Sequence, residues 1–183
     1  MSDLGVVPEG WKYLPLEKVA CKEKGSIVDG PFGSNLKVSD YVDSGIPVLQ
    51  GKNVTDDKFT WNDIRYITHR KASELIRSSV RVGDILLVKI GSVGYSAIVT
   101  DMKGFDCAII PANLLKISVD NNVAQTSFVH QYLISTEGKK RLIEIASSTA
   151  QPALNLGVIK KYKIPIPPLP EQKKIVDAAN FNE

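Results

Sequence analysis

The chain has 183 residues and a formal net charge of +3, with 43% hydrophobic and 23% charged residues. That is the composition of an ordinary globular protein, long enough for one sizeable core and without internal repeat or low-complexity tract. Mild basicity permits a nucleic-acid partner without demanding one. Cys21 and Cys107 lie too far apart in sequence to suggest a disulfide framework, so a reducing cytoplasm is the expected compartment. No stretch has the apolar length of a membrane span, and no basic-then-apolar leader opens the chain.

Residues 1–10 read as a polar lead-in that ends where Trp11 docks, and Trp11, Tyr13, Leu14, Leu16 and Val19 supply one side of a core. Gly30-Pro31-Phe32-Gly33-Ser34-Asn35 is a loop by chemistry, with two glycines and a proline that fixes a turn. A plain turn and a loop whose N–H and hydroxyl groups approach a phosphate both fit it. It lacks the Gly-Lys-Ser/Thr ending of a nucleotide-binding P-loop. Gly45-Ile46-Pro47-Val48-Leu49 predicts a turn and a short buried strand. Gln50, Lys52 and Asn53 then fall on the loop at the strand's end, either as a polar hairpin tip or as groups that read base edges.

Thr68 is placed to cap a short helix running to about Ser79. Ala72, Leu75 and Ile76 form its inner face. Arg65, Arg70, Lys71, Arg77 and Arg81 make the densest basic cluster, expected to be a solvated face. The run from Val82 to Ile90 predicts a buried strand interrupted only by Lys89, which must snorkel to an edge or face a polar ligand. Gly91-Ser92-Val93-Gly94 turns the chain into a second strand over Tyr95 to Val99. Cys107–Ile110 and Leu114–Ile117 read as two more strands. Phe128, Val129, Tyr132 and Leu133 have helical spacing, and after an interruption at Gly138 a second helical piece spans Lys139–Ala146. These helices are expected to pack on the sheet. Ser147-Ser148-Thr149-Ala150-Gln151-Pro152 reads as a helix-ending loop.

The prolines of Ile164-Pro165-Ile166-Pro167-Pro168-Leu169-Pro170 exclude a helix interior or a central strand and predict a stiff extended arm. A helix follows from Glu171, an acidic residue suited to the positive end of its dipole. The expected division is a globular domain over residues 1–164, then an elbow and a helix start over 165–183.

Catalytic readings find little support. Two histidines, His69 and His130, and two separated cysteines do not make a structural zinc site. No Gly-x-Ser-x-Gly elbow supports a serine nucleophile. Ile166-Pro167-Pro168-Leu169 has neither the Asp or Asn before the prolines nor the aromatic after them that an amino-methyltransferase motif needs. Asp84 with Asp101-x-Lys103 leaves a metal-dependent nuclease as one competitor. A protein-interaction module with a basic face is the other. The residues point to a binding protein without catalytic activity or cofactor of its own.

Several of these stretches together resemble one family. Val7-Pro8-Glu9-Gly10-Trp11, Gly30-Pro31-Phe32-Gly33-Ser34, Gly45-Ile46-Pro47, Gly83-Asp84-Ile85-Leu86, Gly91-Ser92-Val93-Gly94 and Pro167-Pro168-Leu169-Pro170-Glu171-Gln172 run in the order found in specificity subunits of type I restriction-modification systems (HsdS). The resemblance implies an α+β target-recognition domain, a mixed twisted β-sheet with short packed helices, followed by the start of a C-terminal spacer helix. It implies a non-catalytic subunit that reads one half of a bipartite target in double-stranded DNA. Methyltransferase subunits would dock on it and restriction subunits would join through the complex. S-adenosylmethionine, ATP and Mg²⁺ would belong to those partners. It also turns the Gly30 loop and the Ser/Thr-rich stretch ending in Gln151 into DNA-facing candidates. On that reading Asn35, Gln50, Asn53, Ser92 and Gln151 are the expected base readers. Ser34, Lys37, Lys52, Lys89 and Thr149 are the expected phosphate contacts. A complete subunit of this family has two recognition domains and two long helices. One domain and a short helix therefore imply a truncated subunit, or a natural half-subunit acting as a homodimer.

Overall fold

The computed structural model describes residues 5–31, 33–146 and 153–180. Its strands are β1 (Lys12–Pro15), β2 (Ile27–Asp29), β3 (Tyr41–Val42), β4 (Ile46–Val48), β5 (Val54–Thr55), β6 (Lys58–Phe59), β7 (Arg65–Ile67), β8 (Ser79–Val80), β9 (Ile85–Val88), β10 (Ser96–Ile98), β11 (Ala108–Ile109), β12 (Leu114–Ile117) and β13 (Lys163–Ile166). The helices are α1 (Leu16–Val19), α2 (His69–Glu74), α3 (Thr126–Ile134), α4 (Thr136–Ala146), α5 (Leu156–Lys161) and α6 (Leu169–Asn180). The class is α+β.

The apolar run in β9 explains the layering. Successive strand side chains point to opposite faces, and here both faces are covered. Ile85 and Leu87 enter one core and Leu86 and Val88 another. The sheet that holds them has the order β10-β9-β12-β2 and is antiparallel throughout. On one side it packs against α1, α3, α4 and α5 through Leu16, Val129, Leu133, Leu142 and Ile159. On the other it meets a mixed sheet of order β3-β7-β4-β11-β8, in which β11 runs parallel to β4 and antiparallel to β8. Fully buried Leu49, Val80 and Ile110 fill the space between the sheets. A smaller core of Val48, Ile67, Ala72, Leu75 and Ile109 lies under α2.

Several expected elements are present. Thr68 caps α2, its hydroxyl accepting from the N–H of Lys71 at 3.1 Å. The helix ends at Glu74, and a short 3-10 turn over Ile76–Ser78 continues to the expected boundary. Cys107–Ile110 and Leu114–Ile117 do contain strands, but β11 and β12 belong to different sheets. Gly138 lies inside α4 instead of interrupting it. A Cβ there would sit 2.0 Å from the carbonyl oxygen of Tyr132, so only glycine permits this close turn between α3 and α4.

The proline segment departs from expectation. It is no free arm, because β13 pairs antiparallel with β1, Lys12 opposite Ile166 and Pro15 opposite Lys163. Proline is tolerated in this two-stranded sheet because both strands are edges. The segment beyond residue 164 is also built into the domain. The indole N–H of Trp11 donates to Glu171 at 3.0 Å, and Val176 of α6 joins the main core. Gln172 is fully buried. A boundary at 164 would cut a paired strand.

Candidate functional site

The strand ends gather several loops at one edge of the molecule. The C-terminal end of β2 carries Asp29 and Gly30, and the N–H of Gly30 donates to the carbonyl of Leu114 at 3.2 Å. The end of β9 carries Lys89, whose N–H donates to the carbonyl of Asn113 at 2.8 Å. Leu154 donates in turn to the carbonyl of Lys89 at 3.0 Å, and Ile90 bridges Ala153. The loop after β4 reaches the same place, since a Cβ on Gly51 would lie 2.9 Å from the side-chain nitrogen of Asn113. Three separate stretches thus converge on the short link Pro111-Ala112-Asn113 between β11 and β12, and the stretch at Ala153-Leu154 joins them through Lys89 and Ile90.

This convergence depends on Gly30. A Cβ at that position would stand 2.1 Å from the carbonyl carbon and oxygen of Pro111 and 2.4 Å from the carbonyl oxygen of Ile110. Those neighbours are backbone atoms and cannot rotate away. The absence of a side chain at Gly30 lets the loop after β2 lie against the link.

The expected site residues divide into three groups. Ser34, Asn35 and Lys37 are exposed on the loop that follows Gly30, Ser92 is exposed on the loop that follows β9, and Gln50 is half-buried next to Gly51. Ser92 sits at the tip of the turn between β9 and β10, which is closed by the Val88 N–H donating to the Tyr95 carbonyl at 2.8 Å. Lys52 is exposed but ion-paired with Asp63. That hydrogen-bonded ammonium holds the Asp63 carboxyl below its usual range.

Asn53 and Lys89 require correction. Asn53 is fully buried. Its side-chain nitrogen donates to the carbonyls of Thr60 at 3.0 Å and Asn62 at 2.8 Å, and its oxygen accepts from the N–H of Gln50 at 2.8 Å. Every face of the amide is committed to holding the loop, so no edge remains for a base. Lys89 neither snorkels into solvent nor stands open to a ligand. Its side chain is 13% exposed and donates to Asp29 at 2.7 Å. The charge that suggested a phosphate contact is neutralised within the domain. Thr149 and Gln151, with Phe32 of the glycine loop, lie outside the described residues.

Asp29, Arg77 and Asn113 were not singled out as site residues from sequence, yet they stand at the centre of this edge. The nearest signal was the position of Asp29 immediately before Gly30-Pro31. Arg77 lay within a basic cluster that reads as an ordinary solvated face.

The carboxylates considered for a nuclease are occupied differently. Asp84 is buried and accepts from the Ser118 hydroxyl at 2.5 Å and the Arg81 N–H at 2.8 Å. Asp101 is ion-paired with Lys103 at 2.5 Å. Among the described residues no group of three or more His, Cys, Asp or Glu side chains could hold a metal ion.

Comparison with known proteins gives a consistent result. The family model for the type I restriction modification DNA specificity domain matches residues 8–178. The MjaVIII specificity subunit of Methanocaldococcus jannaschii is 25% identical over 178 residues, covering 96% of this chain and 40% of that protein. The EcoBI specificity subunit of Escherichia coli is 25% identical over 171 residues, covering 93% and 34%. This chain therefore spans roughly two fifths or less of these relatives. The crystal structure of the HsdS subunit from Thermoanaerobacter tengcongensis superposes with a TM-score of 0.68 at 19% identity, covering 96% of this chain and 38% of that one. A chain solved in a study of complex assembly and conformational transition of the type I R-M system gives 0.70 at 21%, covering 96% and 39%. At these identities the structural likenesses establish the fold.

Proposed function

The chain belongs to the type I restriction modification DNA specificity domain family, and from that premise we propose that it reads one half of a bipartite target in double-stranded DNA. The observation that carries the reading is the convergence of three loop regions on the Pro111–Asn113 link, with the Ala153–Leu154 stretch joined through Lys89. The loops that leave this meeting point carry the exposed polar residues Asn35 and Ser92 and the half-buried Gln50. Amide and hydroxyl groups suit base edges in the major groove, while cations and small hydroxyls fix register on phosphates. Asn35, Gln50 and Ser92 are the base readers in this proposal. Ser34, Lys37 and Lys52 are its phosphate contacts, the last having to exchange Asp63 for DNA. Thr149 and Gln151 remain candidates on the basis of family resemblance.

The domain itself performs no chemistry in this reading. Methyltransferase subunits dock along α6, and restriction subunits join through the assembled complex. S-adenosylmethionine, ATP and Mg²⁺ serve those partners. If the chain acts as a natural half-subunit, a homodimer supplies the second half-site. No helix among the described residues is long and apolar enough to cross a membrane.

Selection from random duplex DNA tests the proposal, using the naturally full-length chain assembled with its methyltransferase subunit. Enrichment of a short half-site at fixed spacing from a second is expected. Binding by the assembled complex without enrichment of any sequence would overturn the recognition role. Within an enriched target, Ser92→Ala or Asn35→Ala should relax preference at one position, whereas a uniform loss across sequences would remove that residue from the base readers.

A further inference from the structure

One carboxylate at the recognition edge faces two cations, and the two are held very differently. Asp29 ends β2 immediately before the glycine loop. One of its carboxylate oxygens accepts from Lys89 at 2.7 Å, and the other lies 3.8 Å from the Arg77 guanidinium. The Asp29 and Lys89 side chains are 17% and 13% exposed, while that of Arg77 is 69% exposed. The short turn that carries Arg77 is pinned in place. The Ser78 hydroxyl donates to the main-chain oxygen of Asp29 at 3.1 Å, and the Ser78 carbonyl accepts from the N–H of Ile110 at 3.0 Å. Arg77 is thereby anchored beside the strand that leads into Pro111, at the point where the loops meet.

The charges do not cancel. Lys89 and Asp29 form a close, largely shielded pair, which leaves the charge of Arg77 in excess. The remaining 3.8 Å contact is long and water-exposed, so it holds the guanidinium only weakly. Three other cations of the same sequence cluster have partners: Arg70 lies 3.4 Å from Glu74, Lys71 lies 3.5 Å from Asp40, and Arg65 sits over the ring of Tyr41. A planar, exposed guanidinium with a free donor edge matches the geometry of a phosphate.

We propose that Arg77 grips a DNA backbone phosphate, and that Asp29 is a positioning residue that aims this guanidinium and keeps Lys89 out of DNA contact. The proposal rests on reading this edge as the DNA surface. It assigns to Arg77 a phosphate role that the sequence had suggested for Lys89.

The salt dependence of duplex binding tests it in the full-length chain assembled with its methyltransferase subunit. Two duplexes are compared, the selected target and an unrelated sequence. Arg77→Ala should reduce the slope of log affinity against log salt by about 0.9, the value of one lost phosphate contact, with the same fold-loss on both duplexes. Asp29→Asn frees the Lys89 amine to reach a phosphate, so the slope should steepen by up to about 0.9. Asp29→Asn/Lys89→Met also removes the freed amine, so the steepening should vanish, and with Arg77 no longer aimed the slope should not exceed that of the unsubstituted chain; this variant serves if the single one does not fold. An unchanged slope in Arg77→Ala, or a slope steeper than the unsubstituted chain's in the double variant, would overturn the assignment. If the unsubstituted complex selects no sequence, the recognition reading itself has failed. If it selects a target while Arg77→Ala binds unchanged, only the Arg77 assignment has failed.

Discussion

The side-chain oxygen of Gln172 accepts the main-chain N–H of Gln125 at 2.8 Å. Gln125 is the N-cap residue of α3, so a side chain from α6 satisfies a donor that the start of α3 leaves open. The nitrogen of the same amide donates to the carbonyl of Pro167 at 2.8 Å. One buried amide thereby fastens the proline segment, α3 and α6 together.

Gln172→Ala strands a buried N–H and a buried carbonyl, and each unpaired group costs on the order of 1–3 kcal/mol. The expected loss of unfolding free energy is about 3 kcal/mol, read from urea or guanidinium melts. A variant within experimental error of the unsubstituted chain would show that α6 does not depend on this amide.

Asn53→Ala distinguishes a structural role from a base-reading one. The loop loses two donations and one acceptance, and a fall in stability of about 3 kcal/mol is expected. The folded fraction should select the same DNA sequence as before. Relaxed preference at a single base pair, with stability intact, would restore Asn53 to the base readers.

Gly30→Ala places a methyl group on the backbone of Pro111 and Ile110. The loop after β2 must move, at a cost of about 1–3 kcal/mol, in the range of other overpacked sites. Since this loop carries Ser34, Asn35 and Lys37, affinity for the selected DNA should fall with stability. Thermal melts paired with binding titrations check both, and unchanged values in both would argue against the close approach.

His130 makes stability depend on pH. Burial pushes its pKa below the ordinary value, although Nε2 lies 3.0 Å from the Ser96 carbonyl oxygen. That oxygen can only accept, so the neutral ring carries its proton on Nε2 and donates. The unfolded chain binds a proton at about pH 6.5 and the folded chain only at lower pH. This contribution to stability is therefore complete above that value and is lost as pH falls toward the depressed folded pKa. Denaturant melts at pH 7.5 and 5.0 should show the loss, and His130→Gln should lose less over the same interval. An equal loss in both proteins would assign the pH dependence to other groups.

Legibility in the sequence followed the range of the forces involved. The Thr68 cap is a local hydrogen bond, and the apolar run over Ile85–Val88 announces burial on both faces, so both could be read directly. The separation of β11 and β12 into different sheets is set by partners elsewhere in the chain, and adjacent sequence carries no sign of it. The proline segment looks like an unpaired arm because its partner strand begins at Lys12, at the opposite end of the sequence. At the site, a loop asparagine reads alike whether its amide faces solvent or, as in Asn53, the loop's own carbonyls. Lys89 looked available because its counter-charge, Asp29, lies 60 positions away.

The pairing of β1 with β13 also has a consequence in time. A chain is synthesised from its N-terminus at about 5–20 residues per second. The Lys12–Pro15 strand thus emerges first, but it has no partner until almost the whole domain has been made. Long-range closures of this kind slow folding. Throughout that interval Leu14 and Leu16 lack the cover that Ile164 and Ile166 later provide in the same core. The nascent domain is exposed to aggregation along this edge, and the proline segment is the last piece that closes it.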